Sequence, residues 1–442
     1  MPSEGHKESH TPADRWAFLV ERVIILATLL VALAGIGTLH PGDSAYSRMA
    51  TVYSLVHDGT WYIDRPVEEA PNPFEGMTID KCSLNGRIIS TKPPLLPLAM
   101  TAEYAALRGI FGWDAADDGD LKPILQFMTV SLIILPFFVG VVFFALLLDL
   151  LIANPWQRLL PLVALCFGTQ LTGFATELNN HTPAIGLLSI VIYLSMGMMM
   201  GKLAPSGGRL FAFGFAGALV FALDMPLTIF VGVAGMALLW KFPKPALVWM
   251  TLGLALPLLL HFGVMLYVTG SPLPVQMRKD LYLYENSAWR NPGYLDALNE
   301  PKGTYFFHMT FGRFGIFLLY PILLFGPAGL LWTIVRREKQ WRGYYAAATF
   351  CIVMLFLYYV FRTNNYGGGS YGFRWGMGLM PIFILMGIPL FNRVRTIPAW
   401  LLVAGLMAVS SFSAWECYRA PWGACHEWTC RWIFGLPYLP LT

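Results

Sequence analysis

Charged side chains are scarce in this chain. Asp, Glu, Lys and Arg make up 13% of its 442 residues, about half of what a soluble domain carries, which excludes an ordinary water-soluble globule. Nucleotide chemistry lacks its usual cradle. No Gly-x-Gly-x-x-Gly turn follows a strand and no Gly-Lys-Ser/Thr loop occurs, so cytosolic nucleotide-sugar or ATP chemistry is not expected. No internal repeat is evident either, which argues against a transporter built from duplicated halves.

Apolar residues account for 56% of the chain, and the mean hydropathy is +0.56. Runs able to cross about 30 Å of hydrocarbon lie near 18–39, 124–152, 159–176, 183–201, 210–223, 225–240, 246–268, 314–335, 343–361, 375–392 and 396–413. An all-α polytopic membrane protein of about eleven transmembrane helices is expected. The first run is read as a retained anchor, because its core is too long for a signal peptide and no small-residue cleavage site precedes His40.

Short cytosolic loops collect Lys and Arg. With the N-terminus inside, alternate loops carry Arg158, then Lys202 and Arg209, Lys241 and Lys244, Arg336 to Arg342, and Arg393 with Arg395. This holds only if Leu95 to Phe111 does not cross the membrane. Glu103 and Arg108 suit an interfacial helix there; a true crossing, paired with a missed one elsewhere, is the alternative.

The expected organisation is a disordered cytosolic stretch 1–17, a membrane domain 18–413 and a short Cys-containing outer tail 414–442. The outer face then owns loops 40–123, 269–313 and 362–374. The net charge of +4 is consumed by inner loops facing anionic lipid and gives no reason to expect nucleic acid. Cys82, Cys417, Cys425 and Cys430 are all outside, an even number in an oxidising space, so two disulfides of unassigned pairing are expected. The acidic run Asp114 to Asp120 reads as a solvated turn, and no metal site is indicated, although a divalent ion stays open.

Two outer motifs carry the chemistry. Asp43 follows Pro41 and Gly42 at the mouth of the first span and precedes helical spacing in Ala45, Met49, Val52, Tyr53 and Val56. It reads either as an N-cap or as a partly desolvated carboxylate able to take a proton from a hydroxyl. Lys92 stands before Pro93 and Pro94, which favour an extended backbone. It reads either as a snorkelling interfacial lysine or as the partner of a lipid phosphate.

A first span, an outer acid, a helix ending in Gly59-Thr60-Trp61, then Lys92-Pro93-Pro94 and a short apolar helix ending in Phe111-Gly112 together resemble the GT-C family of membrane glycosyltransferases. The nearest branch is the group of aminoarabinose transferases and protein O-mannosyltransferases. The resemblance spans roughly residues 20–150 by motif and the rest by architecture. It implies inverting transfer of a sugar from a polyprenyl-phosphate donor on the outer face of a bacterial inner membrane, with the N-terminus cytosolic and the C-terminus periplasmic. Asp43 would be the base or acceptor-orienting group, and Lys92 would contact the donor phosphate. The adjacent Glu of many members is missing, and the loop from Trp61 to Lys92 is longer. With no large outer domain, a lipid or glycan acceptor is favoured over a protein.

Other outer residues can complete such a site. Arg362 and Arg374 flank the Gly367–Gly369 run, and Arg313 precedes a span, so all three are candidates for the donor phosphate; an aromatic-belt loop is the alternative for 362–375. Arg48, Glu177, His181, Asp224 and Tyr366 are candidates for orienting acceptor or sugar. Glu177 and His181 share a helical face at i, i+4, where they orient an acceptor or else cap neighbouring spans, and Asp224 reads as an N-cap or a cavity carboxylate. Two rival functions remain: a flippase for lipid-linked saccharide, which calls for charges deep within spans, and a non-catalytic envelope scaffold, which does not need Asp43 and Lys92 together.

Overall fold

The computed structural model describes residues 12–36, 41–66, 70–290, 297, 300–337, 342–423 and 426–435. The helices, in chain order, are α1 (Pro12–Gly35), α2 (Asp43–His57), α3 (Leu95–Phe111), α4 (Asp118–Thr129), α5 (Leu135–Leu151), α6 (Pro155–Phe167), α7 (Leu171–Phe174), α8 (His181–Met199), α9 (Gly207–Leu223) and α10 (Thr228–Lys241). They continue as α11 (Pro243–Thr269), α12 (Lys302–Thr310), α13 (Ile316–Leu319), α14 (Phe325–Arg336), α15 (Arg342–Arg362), α16 (Leu379–Met386), α17 (Ile388–Phe391) and α18 (Ile397–Arg419). Among the described residues one antiparallel hairpin pairs β1 (Lys81–Leu84) with β2 (Arg87–Ser90).

Six helical segments among the described residues are long and apolar enough to cross a membrane: Ala13–Gly35, Asp118–Leu151, His181–Met199, Pro243–Thr269, Arg342–Arg362 and Ile397–Arg419. Three shorter apolar ones are Gly207–Leu223, Met225–Lys241 and Pro321–Arg336. The chain is a polytopic all-α membrane protein. The remaining expected spans are shorter or broken: α6 stops at Phe167 before α7 restarts, and the run after Gly378 divides into α16 and α17 at Gly387. Helix α1 already begins at Pro12, so residues 12–17 are helical and not disordered as expected; residues 1–11 of that stretch lie outside the described residues.

Packing follows from where small residues let backbones meet. A methyl group on Gly140 would lie 2.3 Å from the Gly186 Cα, so α5 and α8 touch backbone to backbone. Helix α9 packs on α8 and α11, and α1 on α6. Outside this bundle core, Met49, Val52, Met100, Tyr104 and Met128 form a second cluster that fastens α2 and α3 onto α4. Helix α3 thus packs chiefly on α2.

Candidate functional site

Helix α2 starts at the site. Gly42 is its N-cap, so Asp43 is the first helical residue, and the N-cap alternative for it does not hold. A carboxylate there suits the positive end of the helix dipole. One turn later Ser44 and Arg48 share a face. The Arg48 guanidinium is buried and donates from Nη1 to Ser44 O and Oγ at 2.8 and 2.7 Å, and from Nη2 to Asn180 Oδ1 at 2.7 Å.

The hairpin supplies a residue that sequence reasoning passes over. Asn85 and Gly86, at φ +53° and +80°, form its two-residue turn, which returns the chain beside its own start. The Asp80 carbonyl accepts from Thr91 N at 3.1 Å and from Ser47 Oγ at 2.6 Å, which staples the foot of the hairpin to α2. Lys92 Nζ then meets Asp80 Oδ2 at 2.5 Å. The Asn-Gly dipeptide between Cys82-Ser83-Leu84 and Ile88-Ile89 is the hairpin signal, and it would have drawn attention to Asp80.

Electrostatics ties these groups into one site. Burial pushes the Asp43 carboxyl up and the Asp80 charge adds to this, only partly offset by the Ile79 N–H and Lys92. Burial would also raise Asp80, but Lys92, Arg374 and Arg48 outweigh it and hold Asp80 below the ordinary carboxylate value. Lys92 is drawn down by burial against the pull of Asp80. Burial draws Arg48 and Arg374 down to about 10 each, which still leaves both charged at neutral pH. Two carboxyls with divergent acidities, one raised and one depressed, are the arrangement expected of a proton acceptor beside a fixed counter-ion.

Arg374 reaches the site from the glycine-rich loop. Its Nε donates to Gly367 O at 2.9 Å, Nη2 donates to the same oxygen, and its guanidinium stands 4.9 Å from the Trp422 ring centroid. Gly367 makes this possible, since its φ is +117° and a Cβ there would lie 2.9 Å from the Arg374 Cβ. Asp224 does not cap a helix with its side chain; its Oδ2 lies 2.7 Å from His181 Nδ1. Glu177 sits in the turn after α7, so it and His181 do not share a helix as expected, and its Oε2 accepts from Trp422 Nε1 at 2.9 Å.

The other expected residues fall elsewhere. Arg313 pairs with Glu300 at 2.6 Å, and the Tyr366 hydroxyl donates to the other oxygen of that carboxylate. Arg362 is exposed at the end of α15. Cys82 and Cys417 are buried thiols and not the expected disulfide partners; Cys430 is also buried, and Cys425 lies outside the described residues. Each sulfur is enclosed in its own surroundings. Cys82 packs with Met265 and Val275, Cys417 Sγ lies 3.9 Å from Gln170 O, and Cys430 Sγ lies 3.6 Å from Glu427 Oε2. Among the described residues no three metal-ligating side chains come together.

An apolar groove adjoins the charged cluster. Trp61, Ile89, Pro97, Val264, Met265 and Val268 wall it, and Lys92, Ser90 and Thr51 add its polar atoms.

No protein-family profile matches this chain, and no curated protein does. Among solved structures it is similar to the crystal structure of ArnT from Cupriavidus metallidurans bound to undecaprenyl phosphate. The two share 12% identity at a TM-score of 0.49, over 88% of this chain. The chain spans 62% of that protein's length.

What the cluster can do follows from its charges. Three cations surround one depressed carboxylate, and the Lys92 ammonium bonds to Asp80 beside the apolar groove. An anion attached to an apolar chain meets both needs at once. Asp43, solvent-accessible and raised in pKa, is the residue of this group suited to receive a proton.

Proposed function

We propose that this protein is an inverting membrane glycosyltransferase of the GT-C type, moving a sugar from a polyprenyl-phosphate donor to a lipid or glycan acceptor on the outer face of a bacterial inner membrane. One observation carries the reading. Lys92 lines the apolar groove and also belongs to the charge cluster that contains Asp43. The groove would mark where the polyprenyl chain leaves the phosphate, and Lys92 with Arg374 would neutralise the phosphate as the glycosyl bond breaks, which lowers the barrier by stabilising developing charge.

Asp43 would accept the acceptor hydroxyl's proton on the opposite face of the sugar, so the configuration inverts. Arg48 is held by Ser44 and Asn180, and Asn180 Nδ2 donates to Leu223 O at 2.7 Å. These contacts support a role for Arg48 in fixing α2 against α8 and α9, which orients Asp43. The hydrogen-bonded pair His181 and Asp224 would orient a sugar hydroxyl.

The test is transfer in proteoliposomes supplied with a panel of polyprenyl-phosphate sugars. Asp43→Asn is expected to lower turnover by about 100- to 10,000-fold, and Lys92→Ala to raise the donor KM. Undiminished transfer in both variants would overturn the assignment. Lipid translocation without transfer would favour a flippase.

A further inference from the structure

Just after α18 the chain pairs with the glycine-rich loop. Tyr371 N donates to Pro421 O at 2.9 Å and Gly423 N to Gly369 O at 2.8 Å, with Ser370 and Trp422 paired antiparallel between them. Residues 421–423 therefore run as a short strand along the glycine-rich loop that carries Arg374.

This pairing aims Trp422 into the charged cluster. Its indole N–H is held by Glu177 at 2.9 Å, and Phe174 meets its ring edge-on at 5.6 Å. The ring lies 3.2 Å from where a Cβ on Gly42 would sit, so it packs against the turn that presents Asp43. The Arg374 guanidinium stands over it at 4.9 Å. With Nε and Nη2 both given to Gly367 O, Arg374 keeps Nη1 without a hydrogen bond among the described residues. A cation fixed on two sides by a carbonyl and an aromatic face, with one N–H edge unspent, is poised for an anion.

We propose that residues 421–423 are part of the donor site, with Trp422 as the positioning residue that sets Arg374 toward the donor phosphate and braces the Asp43 turn. This rests on the donor-phosphate reading above. It assigns to Glu177 the task of anchoring Trp422 in place of orienting an acceptor. Trp422 itself does not touch the reacting atoms.

The experiment uses the full chain in detergent with farnesyl phosphate as the probe. Binding is measured by titration calorimetry for the parent, Trp422→Phe, Trp422→Leu, Trp422→Ala, Arg374→Ala and the double variant Trp422→Ala/Arg374→Ala. Trp422→Leu keeps apolar volume without an aromatic face and is expected to weaken binding about tenfold, whereas Trp422→Phe, which keeps the face over Arg374 but loses the Glu177 anchor, is expected to bind between Trp422→Leu and the parent. The double variant should bind no worse than Arg374→Ala alone. Binding by Trp422→Leu equal to the parent, or losses that multiply in the double variant, would overturn the role of Trp422 and leave the donor reading standing. If Trp422→Ala does not fold, the Leu and Phe pair decides. A parent that binds no farnesyl phosphate would overturn the donor reading and this inference with it.

Discussion

The Lys92 ammonium and the Asp80 carboxylate lie 2.5 Å apart, held by a hairpin that folds Asp80 back onto the start of α2. Both side chains keep some solvent access, at 16% and 21%, so the pair is worth less than a fully buried one. Asp80→Asn is expected to cost about 1–3 kcal/mol near neutral pH. Because Asp80 is held below its ordinary value, that contribution is complete above the usual carboxylate range and is lost as pH falls through the depressed folded value. The difference in Tm between parent and Asp80→Asn should therefore close in acid.

The acidic limb of the pH–rate profile should report Asp43. Its carboxyl is raised by burial and by Asp80, so kcat/KM should fall in acid at a pH above the ordinary carboxylate value. Asp80→Asn removes the repelling charge and should move that limb to lower pH; Lys92→Ala removes an attracting charge and should move the residual activity's limb to higher pH. Limbs unmoved by either change would separate Asp43 from the titrating group.

Gly367→Ala should disturb Arg374 more than it disturbs the fold. At φ +117° an alanine is strained by about 1–3 kcal/mol, and its Cβ would press on the Arg374 Cβ at 2.9 Å. A fall in Tm of a few degrees with a tenfold or greater loss of farnesyl phosphate affinity is expected. Unchanged affinity would mean that Arg374 does not meet the phosphate.

The thiols give a direct chemical check. Burial pushes the Cys82 thiol up to about 12, so it should resist alkylation in the native protein at pH 8 and react only on unfolding. Cys82 and Cys417 should both label in denaturant without reductant. A requirement for dithiothreitol at either would restore a disulfide.

Much of the membrane architecture is legible in the chain. A helix enters lipid when a contiguous run is long and apolar enough, which is a local property, so the long spans and the all-α class can be read directly. Asp43 and Lys92 are conspicuous for the same reason: charge stands out beside apolar runs. The breaks at Phe167 and Gly387 are less visible, because helix interruption inside a bundle depends on what the neighbours supply to the freed backbone groups.

The membership of the site was a matter of packing. Arg374 joins the Lys92 cluster while Arg313, equally basic and equally close to a span end, pairs with Glu300 instead. Asp80 joins it through a hairpin register, and Trp422 joins it from 245 residues beyond Glu177. Composition and periodicity record how each segment meets lipid or water. Which helix ends meet one another depends on side chains far apart in the sequence interlocking in three dimensions, and no local residue pattern encodes that.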